Sequence, residues 1–230
     1  MFRHESSWLS DAFSGLRSLV FPSICVMCES YAADICDQCN LQWSKPPHLL
    51  RFDDVPASSV VAYSTQVSSV VLKAKEDGNR VARRLIAETM YRSIDLIVKK
   101  SPQLPLLIVP IPSSRRAIRQ RGESFLHPIM NNVIDIAHRN SRNWAWKEIL
   151  MHKKRVRDQA GLNSRERTLN VRGVFAVRDE VVADRPIIVV DDVITTGATL
   201  RNAISALNER KMTVLGASTA CASAHQFLIR

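Results

Sequence analysis

Residues 187–199 constrain the fold more than any other part of the chain. Positions 187–190 form an unbroken β-branched run, the pattern of a strand buried on both faces in a parallel sheet. Two adjacent acids, Asp191 and Asp192, follow, then Val193, then the turn Thr195-Thr196-Gly197-Ala198-Thr199, then a helical pattern over 200–208. Acids at the end of a parallel strand face the crevice where open α/β sheets bind ligands. A turn that opens a helix offers free backbone N–H groups, hydroxyls and a positive dipole end, which suit a phosphate. Gly197 lets the backbone approach that anion closely, because it has no Cβ.

The 230 residues can hold one good-sized α/β domain and a small appendage, and a hydrophobic share of 46% is ordinary for a globular chain. No apolar run reaches the ~20 residues needed to span a bilayer. Glu5 and Asp11 interrupt the apolar residues of the N-terminus, so no signal peptide is expected. The reading is a cytoplasmic protein without membrane insertion. The net charge of +10, from 32 Lys and Arg against 22 Asp and Glu, suits phosphates, nucleic acid or an acidic protein.

Near the N-terminus, apolar residues at helical spacing predict a short amphipathic helix over 8–20. Cys25 and Cys28, then Cys36 and Cys39, form two Cys-x-x-Cys pairs. Such pairs supply four thiolates to a tetrahedral zinc, and a closed set of four protein ligands implies a structural site. A disulfide framework would need an oxidising compartment. Lys45-Pro46-Pro47 breaks regular structure, which places the module at residues 1–50, with a core of its own, and the main domain at 51–230.

Within the main domain, strands are expected at 60–63, 106–109, 146–150 and 173–177, with helices at 67–74, 81–98 and 124–138. Lys73 and Lys75 could face a pyrophosphate or cap a solvated helix end. After the strand at 106–109 come Arg115, Arg116, Arg119 and Arg121, whose guanidinium forks match phosphate oxygens. Nucleic-acid contact is the rival use of these arginines. The basic stretch 152–161 is expected to act as a mobile lid, with a static basic loop contacting nucleic acid as the rival, and a capped helix start is expected at 164–170.

Val189 through Thr199 resembles the PRPP (phosphoribosyl pyrophosphate) motif of type I phosphoribosyltransferases. Together with the Cys-x-x-Cys pairs, Val109-Pro110-Ile111-Pro112, Gln159 through Leu162, and Arg167 with Asn170, the whole is similar to the ComF family, including its GntX-like members. The resemblance implies a mainly parallel sheet flanked by helices, of type I phosphoribosyltransferase kind, behind a small N-terminal zinc-binding module. It implies that Asp191 and Asp192 hold the ribose hydroxyls and that Val193 and Thr195–Thr199, Ala198 included, wrap the 5′-phosphate. It further implies that Arg115, Arg116 and Lys73 receive the pyrophosphate, with Mg²⁺ accompanying PRPP. The acceptor is not legible. The family's link to natural competence adds single-stranded DNA or the DNA-uptake machinery as candidate partners. One departure stands out: after Arg121-Gly122 the family's Phe-Asn-Gln is replaced by Glu123-Ser124-Phe125, so the amide side chains are gone and an acid has entered.

Overall fold

The computed structural model describes residues 23–31, 34–50, 52, 55–153, 173–179 and 184–224. The expected helix at 8–20, most of the expected lid, Gln159 through Leu162, and Arg167 with Asn170 lie outside the described residues.

The main sheet runs in the order β1 (His48–Leu50), β2 (Ala57–Ser59), β9 (Val214–Ala222), β8 (Ile187–Ile194), β4 (Leu106–Pro110), β5 (Trp144–Trp146), with β3 (Val61–Ala62) also pairing with β9. All these pairings are parallel except β1 with β2. The chain leaves β4 to form β5 on one side and later returns to form β8 on the other. The strand order therefore reverses between β4 and β8, and a ligand crevice belongs at their carboxyl ends.

Alternation along β8 assigns its two faces. Ile188 and Val190 join one core cluster with helices α2 (Thr65–Glu76), α3 (Arg80–Val98) and α5 (Leu126–Arg139). Ile187 and Val189 join another with α6 (Ala198–Glu209) and a two-stranded antiparallel ribbon, β6 (Leu150–His152) with β7 (Phe175–Val177). All four β8 residues are fully buried, as a strand covered on both faces requires. The mainly parallel sheet flanked by helices is thus observed. Ser64 and Asn79 accept a bond from the third residue beyond, at Val67 and Ala82, and so set the starts of α2 and α3.

Two local expectations need correction, and one stretch takes a definite form. The strand expected at 146–150 is two strands in two sheets, β5 ending at Trp146 and β6 beginning at Leu150. The arginine-rich stretch is a short helix, α4 (Arg115–Arg121), capped by Ser114 and stopped by Gly122 in the left-handed region. Among the described residues of the N-terminal module, Cys25, Val26, Met27, and Cys39 and Trp43 of α1 (Asp37–Trp43), are buried in the same cluster as α2, α3 and α5, so they form no separate core. A boundary drawn near residue 50 falls on β1, which is already part of the main sheet. Among the described residues, no helix is long and apolar enough to cross a membrane.

Candidate functional site

β8 carries Asp191 and Asp192 to the reversal point, just beyond the level where β4 ends. Each carboxylate accepts from the next backbone N–H, Asp192 N to Asp191 at 2.9 Å and Val193 N to Asp192 at 2.8 Å. Burial, and then the charge of Asp192, push the Asp191 carboxyl well above the usual carboxylate range. Lys75, from the last turn of α2, pairs with Asp192, and its ammonium lies 5.1 Å from the centre of the Phe125 ring.

The turn after β8 is held from behind. Gly197 is buried with φ +76°, and a Cβ there would lie 2.4 Å from the Phe52 ring. Arg201 donates to the Thr196 carbonyl at 2.7 Å and stacks over Phe52 at 5.0 Å. Thr195, Thr196, Ala198 and Thr199 remain exposed on the front. Gly197 has no side chain to cap α6; the Ala198 N–H reaches the Thr196 hydroxyl at 3.4 Å, and the next N–H groups of the first turn can face a ligand.

Beside this crevice lies a cavity of about 420 Å³, lined by Lys75, Glu76, Arg83, Arg121, Glu123 and Phe125 among others. Arg83 pairs with Glu123 at 2.7 Å and Arg121 with Glu76 at 3.3 Å. The arginines of α4 therefore divide. Arg121 enters the cavity, whereas Arg115 and Arg116 are exposed and do not line it.

Lys73 is not at this site. Its ammonium binds Glu29 at 2.7 Å and the Val26 carbonyl at 3.0 Å, pinning α2 to the N-terminal module. Two residues along a helix point about 200° apart, so only one of Lys73 and Lys75 could reach the acids. The sequence reading also passed over Arg83. On α3 it looks like any surface arginine, and only the fold brings it opposite Glu123.

Cys25, Cys28, Cys36 and Cys39 converge, with all four sulfurs within 4.8 Å of one another. A tetrahedral ion with ~2.3 Å bonds to sulfur requires sulfurs ~3.8 Å apart, and Cys28 and Cys36 are 3.7 Å apart. All five cysteines of the chain are free thiols. Burial raises the Cys25 thiol, but backbone N–H donors from Cys28, Cys36 and Met27 outweigh it and hold the group at about 6. Cys39 is pushed upward, first by burial and then by the other three sulfurs. A divalent cation removes that mutual penalty, since a coordinating thiol is deprotonated outright. The donor set fits zinc. Cys221 is instead buried beneath the acids, its sulfur 3.5 Å from the Asp192 carbonyl.

Residues 141–227, which contain the acids and the turn, match the phosphoribosyl transferase domain. A solved hypoxanthine phosphoribosyltransferase from Staphylococcus aureus is similar at 13% identity and a TM-score of 0.33, over 61% of this chain and 65% of that one. A structure described as the allosteric regulatory enzyme of purine biosynthesis is similar at 16% identity and a TM-score of 0.39, over 76% of this chain and 35% of that one. The chain thus spans less than two thirds of either protein. No curated protein matches the chain.

Proposed function

We propose that the chain binds PRPP and transfers its phosphoribosyl group to a nitrogen acceptor, releasing pyrophosphate. The observation that carries this reading is the paired acids at the reversal point of the sheet, followed at once by an open helix start, inside the segment that matches the transferase domain. We further propose that the Cys₄ module ahead of that domain places the chain in the ComF family.

The reaction breaks the bond between C1 and pyrophosphate through an oxocarbenium-like state, so negative charge builds up on the leaving group. No covalent nucleophile is required. Asp191 and Asp192 accept hydrogen bonds from the ribose hydroxyls and fix C1 relative to the acceptor. The 195–199 turn binds the 5′-phosphate through backbone N–H groups. Lys75, Arg83 and Arg121 face the leaving group from the cavity wall. Catalysis is then chiefly positioning and electrostatics. The donors at the acids are carboxylate oxygens, which suit a hard cation, and Mg²⁺ would neutralise charge on the pyrophosphate. The thiolates of Cys25, Cys28, Cys36 and Cys39 would hold a structural zinc that serves the fold.

Incubation with PRPP, Mg²⁺ and a panel of nitrogen nucleophiles tests the reading. Acceptor-dependent release of pyrophosphate is expected. Saturable PRPP binding with no turnover on any acceptor would make the protein a PRPP-binding regulator. One observation favours a nucleic-acid partner as a second reading. No residue of α4 is buried, so Arg115, Arg116 and Arg119 present an exposed cationic face. An affinity for single-stranded DNA that falls steeply with salt, and is weakened by neutralising these three, would support it.

A further inference from the structure

The cavity beside the acids holds its cations and their counter-ions in an unequal way. The Arg83 side chain is 19% exposed and its partner Glu123 44%. Arg121 is 16% exposed and its partner Glu76 55%. The fold therefore buries the guanidiniums and leaves the carboxylates at the surface. Arg83 is also fixed from the other side, its Nε donating to the Ala74 carbonyl at 3.2 Å. Either carboxylate can swing into solvent, while the arginines remain aimed into the cavity. Half-exposed ion pairs are weak, so a stronger anion can replace the carboxylate.

Lys75 has the opposite arrangement. It is the more exposed member of its pair with Asp192, 28% against 14%. When ribose hydroxyls take Asp192, the ammonium is the group that moves, and it already lines the same cavity.

Resting on the PRPP reading above, we infer that Glu76 and Glu123 are place-holders for the pyrophosphate end of the substrate. In the ligand-free protein they neutralise Arg121 and Arg83. On binding, the pyrophosphate oxygens take over both guanidiniums, and Lys75 passes from Asp192 to the same anion. No bond is made or broken in this exchange; three ion pairs are replaced. Each glutamate thus sets how tightly the leaving group is held. A weakly held product leaves readily, and a strongly held one inhibits.

The test is calorimetric titration of the zinc-loaded full chain with inorganic pyrophosphate, at low ionic strength, for wild type, Glu123→Gln and Glu76→Gln. The amide keeps a hydrogen bond to the arginine and removes only the charge. Each variant is expected to bind pyrophosphate about two- to fivefold more tightly, the range set by the worth of such ion pairs. The gain should shrink at high salt. Arg83→Ala should weaken binding. Ribose 5-phosphate, which engages the turn and the acids, should bind all three glutamate-series proteins alike. Unchanged or weaker pyrophosphate binding in both glutamine variants, with ribose 5-phosphate binding intact, would overturn the place-holder role alone. Failure of wild type to bind ribose 5-phosphate or PRPP would overturn the PRPP reading and this inference with it.

Discussion

Replacing Gly197 by alanine perturbs the proposed phosphate turn in two ways that add. The backbone there has φ +76°, a region that costs an L-residue about 1 kcal/mol or slightly more. The new Cβ would also sit 2.4 Å from the Phe52 ring, which is 4% exposed. Overpacking of a filled site costs about 1–3 kcal/mol. The sum is ~2–4 kcal/mol, and for a chain of this size each kcal/mol lowers Tm by about 2–4 °C. Gly197→Ala should therefore melt roughly 5–15 °C below wild type and lose most of its affinity for PRPP, since the strained backbone is the proposed phosphate site. A double-mutant cycle separates the causes. Phe52→Ala removes the clash and leaves the φ cost, so the double variant should be ~1–3 kcal/mol more stable than the two single effects predict. Thermal unfolding and PRPP titration of the four proteins suffice. A Gly197→Ala protein with wild-type Tm and wild-type affinity would refute the reasoning, as would strict additivity in the cycle.

Asp191→Asn should stabilise the ligand-free protein at neutral pH while abolishing its PRPP response. Burial raises this carboxyl in the fold, so its contribution is fully present below the unfolded value of ~3.9 and is lost as pH rises through the raised native value. Tm plotted against pH from 4 upward should thus be flatter in the variant, and an unchanged slope would count against a raised carboxyl. Cys25→Ser should lower the zinc content below one ion per chain and lower the Tm of the whole chain, because the module shares a core cluster with α2, α3 and α5. Elemental analysis and calorimetry check both, and a main domain that melts at the wild-type temperature would contradict the shared core.

How much of this was readable from sequence depended on whether the chemistry was local. The strand, acids and turn at 187–199 are contiguous, and the Cys-x-x-Cys pairs carry their own spacing, so both were legible. α4 was not, because periodicity needs a buried face and α4 has none; its Ser114 cap and Gly122 stop were the signals available. β2 escaped notice because it is built from Ala57, Ser58 and Ser59, all fully buried. Ser58 donates to the Ser93 carbonyl at 2.6 Å, a bond that only the packing of α3 on the sheet supplies. The division of residues 144–152 between two sheets is a matter of strand pairing, which local pattern does not encode. The same holds for the cavity. Lys75, Arg83, Arg121 and Glu123 come from three helices and a loop, and their ion pairs exist only once α2, α3 and α4 are in place.

Titration of the zinc-loaded chain with PRPP, with and without Mg²⁺, tests the central claim most directly. The account predicts saturable binding to one site per chain, strengthened by Mg²⁺ and lost when Asp191 and Asp192 are both replaced by asparagine in a protein that remains folded. No saturable PRPP binding, or binding that survives loss of both carboxylates unchanged, would contradict it.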